Sequence, residues 1–279
     1  MPFVPPPAKV LVTGANGYIG AWITRLLLEQ GYSVQGVVRT QKKGNFLLDY
    51  FDRRGFGADK FGIVIVEDIV AEGAFDAIVE DVDAIVHTAS PCVTHIVDPQ
   101  DFIRPALQGT LGVLQSALRH GKKVKRIVLT SSTSAVADLA TVPRTFSEKD
   151  WYMASIQTVE EKGANANVFV KYAASKTLAE KAAWEFYEQN KTNIEWDLVV
   201  LNPSFFFGPP IHEITGGPAS LNMSLQYWYD AVLGEGSKSR ERLSGSDVEI
   251  DVRDAALAHV LALQKEAAGG ERILITGST

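Results

Sequence analysis

The chain predicts an α/β fold, a doubly wound parallel sheet with helices on both faces and a small C-terminal lobe. Three observations carry that prediction. Short apolar runs rich in β-branched residues alternate with longer segments of helical period. The first run, Val10-Leu11-Val12-Thr13, passes through Gly14-Ala15-Asn16-Gly17-Tyr18-Ile19-Gly20 straight into a helical segment in which Ile23, Leu26, Leu27 and Gln30 recur at helical intervals. With 279 residues the chain is long enough for one large α/β domain or for such a domain with a smaller partner.

The first element is therefore strand, turn, helix. Gly14 suits the tight turn, Gly17 lets backbone N–H groups approach a pyrophosphate, and Gly20 lets the helix pack close to the strand. Phosphates placed there sit on the positive end of the helix dipole. Glycines mark any tight turn, but a strand before them and a helix after them is the context of a dinucleotide-binding Rossmann turn.

Ser33 to Val38 reads as the second strand, ending at Arg39. An acid at this point serves the ribose hydroxyls of NAD, whereas an arginine favours the 2′-phosphate of NADP. Arg39, with Lys42 and Lys43 behind it, points to NADP; the alternative is a solvated basic loop. Phe46 to Arg54 reads as a short helix and Gly62 to Val66 as the third strand. Glu67-Asp68-Ile69 closes that strand, with Asp68 either at an adenine amine or a loop acid or cap. Val82 to His87 is a fourth buried strand, running into the small residues Thr88, Ala89, Ser90 and Pro91, which leave room for a ribose. His87 lies within the strand and reads as a hydrogen-bonded core histidine rather than a base.

Pro99 to His120 is a long helix with Ile103, Leu107, Leu111, Leu114 and Leu118 on one face. Lys125 to Leu129 is the fifth strand, ending in Thr130-Ser131-Ser132-Thr133-Ser134, where open α/β sheets bind ligands. Tyr172-Ala173-Ala174-Ser175-Lys176 opens a helix that runs to about Gln189. Positions four apart share a face, and a cation beside a phenol favours its phenolate. Asp197 to Leu201 is a sixth strand, Leu221 to Leu233 an aromatic helix-like stretch with Tyr227, Trp228 and Tyr229, and Arg272 to Thr276 a last strand. These rings either select substrate or fill a small core. The expected division is residues 1–201 with 246–279 returning to them, and a lobe over 202–245.

Composition narrows the partners. A net charge of −6 and pI near 5.5 leave no basic footprint for nucleic acid, and no apolar run reaches membrane-spanning length. Cys92 is the one cysteine, which points to a reducing, cytoplasmic setting. The opening Met-Pro-Phe-Val-Pro-Pro-Pro reads as an extended arm rather than a signal peptide. No metal site is expected.

Taken in order, Thr13-Gly14-x-x-Gly17-x-x-Gly20, Asp68, Thr130-Ser131-Ser132, Tyr172-x-x-x-Lys176 and Asn202-Pro203 resemble the extended short-chain dehydrogenase/reductase family over nearly the whole chain. Val86-His87-Thr88-Ala89-Ser90-Pro91, Val38-Arg39-Thr40 and the run from Asn202 to Pro209 are similar to the branch of dihydroflavonol reductases and fungal NADPH-dependent aldehyde, ketone and methylglyoxal reductases. The resemblance implies Tyr172 as proton donor to a carbonyl oxygen, Lys176 as holder of the ribose and of a low phenol pKa, and Ser132 as the group that polarises the carbonyl. It implies NADPH on Gly14, Asn16, Gly17, Tyr18, Ile19, Arg39, Lys43, Asp68, Ile69, Thr88, Ala89, Ser90, Tyr172, Lys176, Pro203 and Ser204. It implies a small-molecule carbonyl substrate against Pro91, Ser132, Phe205 and Trp228.

One departure is visible, Ala106 where many members carry an asparagine ahead of Gly109-Thr110, so a proton relay through that asparagine is not available. Members usually continue through several more helical segments. Monomers and homodimers are both compatible with the resemblance. Two rival readings are a sugar-nucleotide epimerase or dehydratase, and an NADP-binding regulatory protein without chemistry. Arg39 and the aromatic stretch speak against the first, and the retained Tyr172 and Lys176 against the second.

Overall fold

Strands that are apolar on both faces need cover on both sides, and a parallel sheet provides it. In the computed structural model, which describes residues 4–90, 97–138, 144–234 and 248–277, β1 (Lys9–Thr13), β4 (Ala84–His87), β5 (Arg126–Thr130) and β6 (Asp197–Pro203) are buried almost throughout. With β2 (Ser33–Val38), β3 (Phe61–Ile65) and β9 (Arg272–Ile275) they form a seven-stranded, all-parallel sheet in the order β3-β2-β1-β4-β5-β6-β9. The doubly wound sheet expected from the sequence is thus the observed architecture. The order reverses between β1 and β4, and ligands bind at the carboxyl ends of strands at such a reversal. Register sets Thr13 opposite His87 there.

Helices α1 (Tyr18–Glu29), α2 (Gln41–Asp52) and α7 (Val252–Gln264) supply Ile23, Leu27, Leu47, Phe51, Val260 and Leu263 to the core on one face. Helices α3 (Gln100–His120) and α5 (Val168–Asn190) supply Val113, Leu114, Ala183 and Tyr187 to the core on the other. Each such fully buried side chain stabilises the fold by roughly 1.5–3 kcal/mol relative to exposure. A third cluster joins Ile103 of α3, Val170 and Ala174 of α5 and Val159 of α4 (Met153–Lys162).

Several spans differ from the sequence expectation for identifiable reasons. Helix α2 starts at Gln41 rather than Phe46, because the Thr40 side chain accepts from Lys43 N and caps it. Helix α5 starts four residues before Tyr172, capped by the Asn167 side chain on Phe169 N, so the tyrosine and lysine stand inside a formed helix. Beside the main sheet, β7 (Phe205–Phe207) and β8 (Glu249–Asp251) make a short parallel pair, followed by α6 (Met223–Val232) in chain order after β7. Asp251 caps α7 through Arg253 N and also binds the Arg253 guanidinium. The N-terminal segment joins the same face, with Val4 N on the carbonyl of Leu263 and the Tyr32 hydroxyl on that of Val4.

Candidate active site

A cleft of about 660 Å³ lies over the carboxyl ends of the central strands. The β1–α1 turn brings Gly14, Asn16, Gly17, Tyr18 and Ile19 to it, the segments after β2 and β3 bring Arg39, Asp68 and Ile69, and the first turn of α2 brings Lys43. Thr88, Ala89 and Ser90 follow β4, Thr130 and Ser131 end β5, and Tyr172 and Lys176 come from α5. Val66, Glu67, Val70, Asp101, Pro105, Phe206 and Asn222 also line it and were not foreseen.

The turn is built for close approach. Gly14 has φ +68°, and a Cβ on it would lie 3.0 Å from Thr88 Oγ1. A Cβ on Gly20 would come within 2.2 Å of the Gly14 carbonyl oxygen, so that position must lack one for α1 to pack. Helix α1 begins with no side-chain cap and no acid in its first turn, leaving the dipole's positive end unopposed toward the cleft. Arg39 and Lys43 are exposed on the cleft wall, and Lys42 is not part of it. Asp68 is exposed there too, with Oδ1 accepting from Val70 N at 2.9 Å.

His87 is a core residue. Thr13 Oγ1 accepts from the backbone N–H groups of Thr88 and Ala89 at 3.1 and 3.2 Å, which uses both of its lone pairs. Its single proton therefore goes to His87 Nδ1, 2.9 Å away. Burial, then the nearby Lys176 charge, pushes the imidazole down to about 3, so it is neutral and carries its proton on Nε2.

The same accounting separates the hydroxyls at the end of β5. His259 Nδ1 lies 2.7 Å from the Ala255 carbonyl, which can only accept, so Nε2 is the acceptor for Thr130 Oγ1 at 2.8 Å. Ser131 Oγ donates to Glu180 Oε2 at 2.5 Å. Ser132 Oγ accepts from Ser134 N at 3.1 Å, a bond that leaves its own proton to give. Its backbone is held by Asn202 Nδ2 on the Ser132 carbonyl.

Tyr172 is half-buried and Lys176 buried, with Lys176 Nζ 5.8 Å from the phenol ring centre and donating to the Thr130 carbonyl at 3.2 Å. Phe102 meets the Tyr172 ring edge-on, with centroids 6.0 Å apart. Glu180, one helical step beyond Lys176, is fully buried and takes Asn202 Nδ2, Ser131 Oγ and Arg272 Nε. Sequence reasoning missed Glu180 and Arg272. The i, i+4, i+8 series Tyr172, Lys176, Glu180 was the available signal.

Other expected contacts fall elsewhere. Phe205 stacks on Phe207 and Tyr227, and neither it nor Ser132, Pro203 or Ser204 is on the cleft wall, Ser132 lying one residue beyond Ser131, which is. Neighbours on a strand face opposite ways, so Phe206 is the ring that reaches the cleft. Trp228, 44% exposed, also lies off the wall. Pro91 lies outside the described residues, as does Cys92. The Tyr18 hydroxyl donates to the Gly208 carbonyl and Trp22 Nε1 to that of Pro209, tying α1 to the chain beyond β7; burial raises the Tyr18 phenol and keeps it a donor. Among the described residues there is no group of three or more potential metal ligands, and no helix is long and apolar enough to cross a membrane.

Residues 10–276 match the NAD dependent epimerase/dehydratase family. The chain is 38% identical over 268 residues to a ketoreductase of Aspergillus niger, covering 95% of this chain and 76% of that one. It is 36% identical over 278 residues to an NADPH-dependent methylglyoxal reductase of Saccharomyces cerevisiae, covering 96% and 78%. The solved structure of the yeast methylglyoxal/isovaleraldehyde reductase complexed with NADPH superimposes with a TM-score of 0.84 at 34% identity, again over 96% and 78% of the two chains.

Proposed function

The chain belongs to the NAD dependent epimerase/dehydratase family, and within it we propose an NADPH-dependent carbonyl reductase that turns an aldehyde or ketone into an alcohol. The observation that carries this reading is that Tyr172 and Lys176 open into the same cleft as the Gly14 turn and Arg39. The cleft fits the dinucleotide. A glycine turn with no room for a Cβ and an uncapped helix start suit the pyrophosphate, and Arg39 with Lys43 suits a 2′-phosphate. The reductase names of the relatives point the same way.

When bound, NADPH supplies the hydride. Tyr172 gives its phenolic proton to the carbonyl oxygen, which stays on its carbon as the alcohol hydroxyl, and the phenolate is left behind. The Lys176 ammonium, fixed by the Thr130 carbonyl, stabilises that phenolate and binds the nicotinamide ribose. Ser132 donates to the carbonyl oxygen and orients it, since the Thr130 and Ser131 protons are already committed to His259 and Glu180. Phe206 and Asn222 form the part of the wall that selects substrate.

The test is loss of NADPH absorbance over α-keto esters, methylglyoxal, aryl ketones and dihydroflavonols. Turnover with NADPH should exceed that with NADH, and Tyr172→Phe should lower kcat by about 10²- to 10⁴-fold. Undiminished turnover in that variant would move the proton donor elsewhere. Binding of NADPH with no turnover of any carbonyl would remove the reductase reading.

A further inference from the structure

We propose that a small cavity beneath Lys176 is a built water site: one buried water, its oxygen held by the Nε2–H of His87, solvates the Lys176 ammonium and makes His87 a positioning residue for the reaction. The effect on turnover rests on the reductase reading above; the water itself does not.

The cavity is walled by His87, Ser90, Ala106, Thr110, Lys176 and Glu180 among others, and has about 10 Å³ of room for the centre of a water molecule. That is the size of a single-water site; Ala89, Leu129 and Ala179 complete a largely apolar wall, and what makes such a cavity wet is the convergence of two to four polar partners on one point. Two of its buried polar atoms, His87 Nε2 and Ser90 Oγ, have no protein partner. The hydrogen bonds of Thr13 force the His87 proton onto Nε2, so the cavity receives a fixed donor that needs an acceptor. A water oxygen meets that need and has a second lone pair for an ammonium proton. Its own protons can then go to Ser90 Oγ and the Thr110 hydroxyl.

The groups around the ammonium define what the water does. Tyr172 and Glu180 face it from its own helix, His87 from β4 and the Thr130 carbonyl from β5, while α3 presents only the uncharged Ala106 and Thr110 to the cavity. Glu180 is neutralised by Arg272 of β9. A neutral imidazole cannot serve as counter-ion, yet through the water it turns an oxygen toward the cation. Loss of the water withdraws an acceptor from the ammonium and disfavours its charged form. The first proton then leaves the Tyr172 and Lys176 pair at lower pH.

Two measurements on the full chain test this. High-resolution diffraction should show one ordered water within hydrogen-bond distance of both His87 Nε2 and Lys176 Nζ; a cavity without density overturns the proposal. Ala106→Val adds methyl groups at the cavity wall and leaves His87 and Lys176 unsubstituted, and His87→Leu removes the donor. Both should move the basic limb of the kcat profile down by about 1 pH unit, and His87→Gln, which restores an N–H at that place, should recover most of the shift. If His87→Leu fails to fold, the Val variant still decides, and a profile superimposable on that of the unaltered protein overturns the role given to the water. A chain that shows the water but reduces no carbonyl would instead defeat the reductase reading and leave the site standing.

Discussion

Two buried arginine–carboxylate pairs sit at opposite ends of the same half of the sheet. Arg126 and Asp197 are the first residues of β5 and β6, in register, and their bond is bidentate at 2.7 and 2.8 Å. The remaining arginine donors take the carbonyls of Ala262, Lys265 and Glu266, at and just past the end of α7. At the cleft end, Glu180 of α5 meets Arg272 of β9, whose other donors hold the carbonyls of Glu148 and Asp150 and whose guanidinium lies 3.7 Å from the Trp151 ring centre. The chemistry is the same and the use differs. The first pair ties strand starts to the end of α7, whereas the second shares its carboxylate with Ser131 and Asn202, the residues that set the strand end carrying Ser132. On the proposed reading, the pair bonded to the cleft end of the sheet bears on turnover and the other on stability alone.

That contrast can be broken in order of expected effect on stability. Arg126→Met strands a buried Asp197 carboxylate and should cost ~3–5 kcal/mol in chemical denaturation. The double variant with Asp197→Leu should regain most of the loss, with kcat unchanged in both. Glu180→Gln keeps the shape and an acceptor oxygen, and Arg272 keeps its carbonyls and its aromatic face. It should cost only about 1–3 kcal/mol, yet kcat should fall by roughly 10- to 100-fold as Ser131 and its neighbour lose their anchor. Equal losses of kcat in the Arg126 and Glu180 variants would erase the distinction. Arg39→Ala, at the far end of the cleft and exposed, should leave stability unchanged and weaken NADPH binding by about tenfold, with NADH affinity unaltered, in a fluorescence titration.

What could be read from the sequence was local. The glycine turn spans seven residues and the Tyr172 to Lys176 spacing four, and both depend on periodicities that short segments carry in themselves. Strands β1, β4, β5 and β6 were visible because a strand buried on both faces is a nearly continuous apolar run, and β2 and β3, only partly buried, through their β-branched residues. The Glu180 to Arg272 pair joins residues 92 apart and Thr13 to His87 residues 74 apart, so only the sheet order brings them together. Helix α7, apolar on much of its surface, lacks the one-sided pattern that announces a surface helix. The face of β7 that meets the cleft was open to a period-two reading, but three consecutive phenylalanines conceal the alternation.

The packing of α1 on α7 also has a consequence for synthesis. About 220 residues separate Glu29 from Val252, so at ribosomal speed the helix that opens the cofactor turn waits roughly 10–45 s for the partner that covers it. Through that interval the face of α1 that meets α7 is apolar surface on an unfinished chain, and a nascent polypeptide arrested before residue 252 presents it to chaperones or to other such chains.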